Sequence, residues 1–258
     1  MYAELPMRII AGRFRSRTLE GPAGMATRPT SDRLRETLFN VLAPRIEGAR
    51  FLDLYAGSGA VGIEALSRGA ASVDFVERAP AALKVLRANL ARLRIGAGFS
   101  IHGAGVGSVL RKMKPAMSNP GVAFDVVFLD PPYDALQEYA ATLGLLGGAA
   151  KGLLAEGALV IAEHRRKEKP EARYGLLGRT RVLEQGDAAL SFYAGADSGQ
   201  GDDEIAHELA LDGTRDDCPS RSASLERVSQ KVAYTSANPS GVETPRSSGT
   251  FGTTEVVP

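Results

Sequence analysis

Two segments of this 258-residue chain have the residue types and the order to do chemistry. The first, DLYAGSGAVGIEA, sets Gly57, Gly59 and Gly62 in the pattern G-x-G-x-x-G between an apolar run and a helical stretch. Glycines there permit a tight turn and close backbone approach, and the N–H groups that open the helix point at whatever occupies the turn. Glu77, 18 residues beyond Gly59, ends the next apolar run, where a carboxylate can accept both hydroxyls of a ribose. The loop reads as a seat for a nucleotide-type cofactor and leaves NAD and S-adenosylmethionine both open. Asp53, just before it, leans modestly toward the methyl donor, because a carboxylate repels a pyrophosphate at short range and attracts an ammonium group.

The second segment is FDVVFLDPPY, an apolar run that stops at Asp130 and is followed by Pro131, Pro132 and Tyr133. Adjacent prolines fix an extended, rigid turn and leave carbonyls without a local donor. A carboxylate and the Pro131 carbonyl aimed at one point can hold the two hydrogens of an exocyclic amino group, leaving the nitrogen lone pair directed at a donor methyl. Tyr133 can stack on the base; such a platform is worth about 1 to 3 kcal/mol and suits a flipped or single-stranded purine. Hydride transfer has no use for this turn, which also lacks a His or Lys acid. Loop and turn together point to methyl transfer onto an amino group.

Positioning these segments requires strands that end at them. FLDLY, SVDFVE, FSIH, FDVVFLD and ALVIAEH read as strands, and GIEALSRG, AALKVLRANLARL, VGSVLRKM and the stretch after Tyr133 as helices between them. Such alternation gives a doubly wound α/β sheet with ligands at the carboxyl ends of its parallel strands. RTRVLEQ and AALSFYAG, parted by Gly186 and Asp187, read as a closing antiparallel hairpin, for seven strands in all. Upstream, TRPTSDRLRETLFNVL predicts a helix with Leu34, Leu38, Val41 and Leu42 on its apolar face and Arg33, Arg35 and Glu36 on its polar face. RIIAGRFRSR, with Arg13, Arg15 and Arg17, is a basic arm over about residues 7–20.

Charge divides the chain. Gly195 to Pro258 holds 5 basic and 11 acidic residues, a net of −6, whereas residues 1–194 hold 26 and 19 and carry +7. The last 64 residues are Ser-, Gly-, Asp- and Pro-rich without apolar period and are expected to be a disordered acidic tail on a 1–194 domain. The lone Cys218 excludes an internal disulfide and a Cys-based zinc site, and His102, His164 and His207 are too dispersed for a metal or a catalytic triad. No apolar run approaches the 18 or so residues of a membrane span, and the start lacks a signal-peptide core. A soluble, cytoplasmic monomer is expected.

RIIAGRFRSR, RPTSDRLRETLFN, DLYAGSG, FVER and FLDPPY, in this order from Met7 to about Ala194, resemble the bacterial methyltransferases that modify the N2 amino group of a guanine in 16S ribosomal RNA. The resemblance implies a Rossmann-like class I methyltransferase fold, S-adenosylmethionine as cofactor, and 16S rRNA or the assembling small ribosomal subunit as partner. It implies that Asp53, Ala56, Gly57, Ser58 and Gly59 surround the methionine part of the donor and that Glu77 and Arg78 lie at its ribose. Asp130, Pro131, Pro132 and Tyr133 would hold the guanine, Thr30 and Arg28 would lie near the donor carboxylate or the base, and Arg13, Arg15 and Arg17 would meet RNA phosphates. The third strand departs from the pattern: HGAGVGS has no acidic or amide side chain for the adenine, which leaves backbone contacts near Ala104. A DNA adenine-N6 methyltransferase shares the DPPY chemistry but needs a separate target-recognition region. A non-catalytic RNA-binding protein on the same scaffold is the remaining alternative.

Overall fold

The computed structural model describes residues 7–21, 29–113, 123–132 and 135–195, with residues 29–31 as backbone only. Arg28, Tyr133 and the expected tail beyond Gly195 lie outside the described residues, as does the side chain of Thr30. Strands β1 (Arg50–Leu54), β2 (Ser72–Val76) and β4 (Phe124–Leu129) are buried at most positions, as expected of strands covered on both faces. With β3 (Phe99–His102) and β5 (Leu154–Arg165) they form the parallel half of one sheet. Helices α1 (Pro29–Leu42), α2 (Ala60–Ser67), α3 (Pro80–Arg92), α4 (Val106–Lys112) and α5 (Leu136–Leu146) precede and connect these strands.

The sheet closes with β6 (Arg173–Tyr174), β7 (Leu177–Gln185) and β8 (Ala188–Gly195), antiparallel to their neighbours. Its order is β3-β2-β1-β4-β5-β8-β7-β6, so there are eight strands where seven were expected. The extra one is the two-residue β6, too short to carry a sequence period. Strand order reverses between β1 and β4, the point where a crevice opens at the carboxyl ends of a doubly wound sheet.

Period-two alternation assigns the two faces. Phe51, Val126, Phe128, Leu159 and Ile161 pack against α1, α2, α3 and the arm, with Leu34, Ile63, Leu86 and the arm's Ile9 in the same cluster. Leu52, Leu54, Val127, Leu129, Val160 and Ala162 pack on the other face with Val109 of α4 and Leu143 of α5. The same alternation puts Asp53, Asp130 and Glu163 on the α1/α2 face, with Asp53 level with Phe128 and Ile161 and with Asp130 and Glu163 two residues further along their strands. Among the described residues no helix is long and apolar enough to cross a membrane, and no group of residues could hold a metal ion.

The basic arm is docked on this face. Arg8 and Thr18 bridge its two limbs, and Met7, Ile9 and Leu19 are buried in the core. Glu64, fully buried on α2, accepts the Ile10 and Ala11 N–H groups at 2.7 and 2.9 Å and pairs with Arg68 at 2.7 Å. Ser67 Oγ accepts the Phe14 N–H and donates to the Ala11 carbonyl. Arg35, expected on the polar face of α1, is instead 5% exposed. Its guanidinium donates to the Arg8 carbonyl and to Asp32, because the arm covers the side of α1 that a free helix would turn to water.

Candidate active site

Sequence dictates the shape of the glycine loop. After β1 the chain enters the left-handed region at Tyr55 (φ 63°), Gly57 (φ 55°) and Gly59 (φ 79°). Gly59 N–H closes the turn on the Ala56 carbonyl at 2.7 Å, and Ala56 N–H ties it to Val76 of β2 at 3.0 Å. A β-carbon at Gly59 would stand 2.3 Å from a Leu86 methyl on top of the φ penalty, and one at Gly62 would stand 2.3 Å from the Phe75 ring. These two glycines let α2 pack on α3 and β2. Gly57 differs: a β-carbon there meets no atom nearer than the Tyr55 carbonyl at 4.0 Å, so its outer face opens on the cleft.

Three carboxyls converge on this opening. Asp53, 2% exposed, accepts the Gly62 N–H at 2.9 Å and so caps α2 from the strand below, a duty the sequence did not disclose. Burial pushes its carboxyl up to about 7, the Gly62 hydrogen bond opposes this, and the charges of Asp130 and Glu77 add to it. Burial likewise holds the Asp130 carboxyl well above the ordinary carboxylate range. Glu77 accepts the Gly57 N–H on Oε2 at 2.9 Å and the Arg78 and Ala79 N–H groups on Oε1 at 2.8 and 2.7 Å. Three of the roughly four lone pairs of a carboxylate are thereby used. Glu77 thus shapes the loop as well as facing the cleft.

The turn after β4 is fixed from both ends. Pro131 is buried and Pro132 exposed, and the Pro132 carbonyl accepts the Ala135 N–H at 2.8 Å. The expectation that both proline carbonyls lack a local donor is corrected for Pro132, whose carbonyl starts the turn into α5. Tyr55 Oη donates to Glu138 Oε2 at 2.8 Å and lies 2.8 Å from Thr142 Oγ1, clamping α5 to the end of β1.

Asp53, Ala56, Gly57, Ser58, Glu77, Arg78, Ala104, Asp130, Pro131 and Pro132 all line one cleft. Gly105, Val106 and Ser108, at the start of α4, line it beside Ala104. Sequence reasoning stopped one residue short of them because it sought a polar side chain where the chain offers backbone. Arg13, Arg15 and Arg17 are exposed on the arm but are not brought to this opening. Arg13 N–H binds the carbonyl of Ser67, the last residue of α2, eight residues from Gly59 or roughly 12 Å along a helix. Asn89 also escaped the sequence. Fully buried on α3, it accepts the Glu20 N–H and donates to the carbonyls of Glu20 and Ser58, joining the arm to the glycine loop.

The family model described as Conserved hypothetical protein 95 matches residues 7–194. The chain is 35% identical over 187 residues to the putative rRNA methyltransferase YlbH of Bacillus subtilis, covering 72% of this chain and 98% of that one. It is 41% identical over 159 residues to the ribosomal RNA small subunit methyltransferase D of Escherichia coli K12, covering 61% and 74% respectively. The solved structure of the putative methyltransferase yhhF from Escherichia coli superposes with a TM-score of 0.62 at 34% identity, over 73% of this chain and 97% of that one. From the arm to the closing hairpin, this chain belongs to the Conserved hypothetical protein 95 family.

Proposed function

We propose that this protein transfers the methyl group of S-adenosylmethionine to the exocyclic N2 amino group of a guanine in small-subunit ribosomal RNA. Its activity class, an S-adenosylmethionine-dependent rRNA methyltransferase, rests on the relatives named above and the class I fold. The site supports an exocyclic amino group as acceptor, and the choice of guanine N2 over adenine N6 rests on the resemblance carried by RPTSDRLRETLFN before the glycine loop. The observation that carries the amino-group reading is a half-buried carboxyl, Asp130, in a proline-fixed turn at the switch point beside the glycine loop.

The residues present fit the donor. Gly57 offers an open cradle, Glu77 a carboxylate at the ribose position, and Asp53 a poorly solvated carboxyl for the ammonium group. When bound, S-adenosylmethionine supplies an electrophilic methyl group next to a cationic sulfur. Asp130 and the Pro131 carbonyl accept the two amino hydrogens of the guanine and hold its nitrogen lone pair toward that methyl. Positioning supplies most of the acceleration, and acceptors on both hydrogens stabilise the positive charge that develops on nitrogen. The raised pKa of Asp130 suits its Oδ atoms to take the departing proton near neutral pH. Arg13, Arg15 and Arg17, exposed on the arm, are proposed to meet RNA phosphates.

The test is transfer of labelled methyl from S-adenosylmethionine to small-subunit rRNA, naked or in partly assembled particles, from cells lacking the protein. Nucleoside mass analysis should give N2-methylguanosine. N6-methyladenosine in its place, or label on DNA alone, would overturn the assignment.

The raised pKa of Asp53 has a signed consequence. Between an ordinary carboxylate pKa of about 3.9 and about 7, the folded chain keeps a proton that the unfolded chain has lost. The stability this proton confers is full below that lower value and is lost as pH rises through the upper one. A cation placed beside Asp53 favours its ionised form. Donor affinity should therefore increase from about pH 5.5 to about 8, with protons released on binding. Calorimetry in buffers of different ionisation enthalpy reads this directly; equal enthalpies and a flat affinity would remove Asp53 from the donor's ammonium group.

A further inference from the structure

Beyond Asp130, on the side of β4 away from the glycine loop, the cleft is lined by a basic turn that the motifs leave unassigned. β5 pairs with β4 only as far as Ala162 opposite Leu129, and its last three residues, Glu163, His164 and Arg165, continue against β8 alone. Glu163 stands level with Asp130. At about 3.3 Å per residue, Arg165 is carried roughly 7 Å past that level. The segment that follows reads RRKEK, with Arg165, Arg166, Lys167 and Lys169 against a single carboxylate, Glu168. Residues 165–169 line the same cleft as Asp130 and Pro131.

The turn is held in place. Glu168 N–H closes on the Arg165 carbonyl at 2.9 Å, and Arg166 N–H binds the Asp187 carbonyl in the β7–β8 connection at 2.8 Å. Beneath it, buried His164 is kept neutral by burial; its Nδ1 binds the Arg165 carbonyl and its Nε2 meets Ser191 Oγ, each at 2.8 Å. Tyr139 Oη donates to the Glu163 carbonyl at 2.8 Å. The overrunning strand end is therefore anchored to α5 and β8, not left to swing. Glu184 lies 3.3 Å from Arg166 and 2.7 Å from Lys169, and Glu168 lies 3.5 Å from Arg165. Glu168 and Glu184 pair with Arg165, Arg166 and Lys169, Glu163 and Asp187 also line the cleft, and Lys167 is exposed and forms no ion pair among the described residues. Like charges held together repel, and an anion relieves that repulsion.

We infer that the turn 165–169 is a phosphate-binding surface, distinct from the arm, that grips the phosphodiesters flanking the nucleotide whose base enters at Asp130. The inference rests on the rRNA reading above and names a contact for it. A base held at the strand end brings its own backbone past the lip of the cleft, and this lip on the β5 side is where the cations stand. The grip is electrostatic and carries no sequence information, so it positions the strand without choosing the base.

The test uses the full chain with Arg166→Gln, Lys167→Gln and Lys169→Gln combined. Binding of in vitro transcribed small-subunit rRNA is measured across about 50 to 300 mM salt, and S-adenosylmethionine binding is measured by calorimetry. The slope of log affinity against log salt should become shallower by about 1.4 to 2, since each lost phosphate contact on a single strand is worth about 0.7. Donor affinity should be unchanged. Should the triple variant lose donor affinity, Lys167→Gln alone carries the test, with an expected change of about 0.7 in slope. An unaltered slope in a variant that binds donor normally overturns the inference while leaving the methyltransferase reading in place. A wild-type protein that binds no rRNA overturns both.

Discussion

Asp130→Ala is expected to bind S-adenosylmethionine within a few-fold of the wild-type affinity and to lose methyl transfer by roughly 10²- to 10³-fold, the usual effect of removing one preorganised transition-state contact. Asp130 sits on the acceptor side of the switch point, whereas the loop from Ala56 to Gly59 and Glu77 lies on the β1 and β2 side. Its loss should therefore separate donor binding from chemistry. Asp130→Asn keeps the shape and one acceptor oxygen but removes the proton acceptor, and should retain a part of the activity that alanine does not. Because burial already disfavours the Asp130 carboxylate, neither variant should be less stable than the parent, and both should melt at or above its temperature near neutral pH. Single-turnover kinetics with excess enzyme, alongside calorimetry of donor binding, give both quantities. Unchanged turnover in Asp130→Ala would sink the assignment of this turn to the target base.

The largest stability effect is expected at Glu64. Its carboxylate is fully buried, holds two backbone N–H groups of the arm and pairs with Arg68, whose guanidinium lies over the Phe39 ring 5.0 Å from its centroid. Glu64→Ala would leave that guanidinium without its partner and two amides without an acceptor. Breaking a buried pair from one side costs about 3 to 5 kcal/mol, a large part of the 5 to 15 kcal/mol that holds a typical domain together. Glu64→Gln keeps an acceptor for the arm and removes only the charge, and should lie between alanine and wild type. Urea denaturation of the three proteins ranks them. A loss below about 1 kcal/mol for alanine would mean that the arm is held by apolar contacts and that the carboxylate adds little.

The sequence was most legible where chemistry demands particular residues at strand ends. Gly57, Glu77 and Asp130 could be placed because a strand, a tight turn and a helix must follow one another there, and the structure puts them in one cleft, whereas Gly59 is turned to the packing of α2 on α3 and does not line it. Legibility failed where a residue's partner lies far along the chain. Glu64 and Ile10 are 54 residues apart, and Asn89 and Glu20 are 69 apart. Helical period reports which face of α2 or α3 is buried, but not that a polar side chain on it meets the backbone of the arm. Arg35 failed for the same reason: its place on the helix reads as solvent until the arm is laid over it. The start of β5 at Leu154, four residues before the apolar run ALVIAEH, was hidden by Glu156 and Gly157, which interrupt the run beside a register shift between Phe124 and Val126.

Asn89 bears on how such a protein can change over time. Its side chain spends both amide hydrogens and its oxygen on two carbonyls and one N–H, from Ser58 of the glycine loop and Glu20 of the arm. Removing the arm would strand Asn89, Glu64 and Ser67 together, each buried and each built to meet it. The arm is thus not a module that can be appended to or shed from a ready-made sheet. Its gain or loss requires concerted change at three interior positions on two helices, so arm and sheet are inherited as one unit.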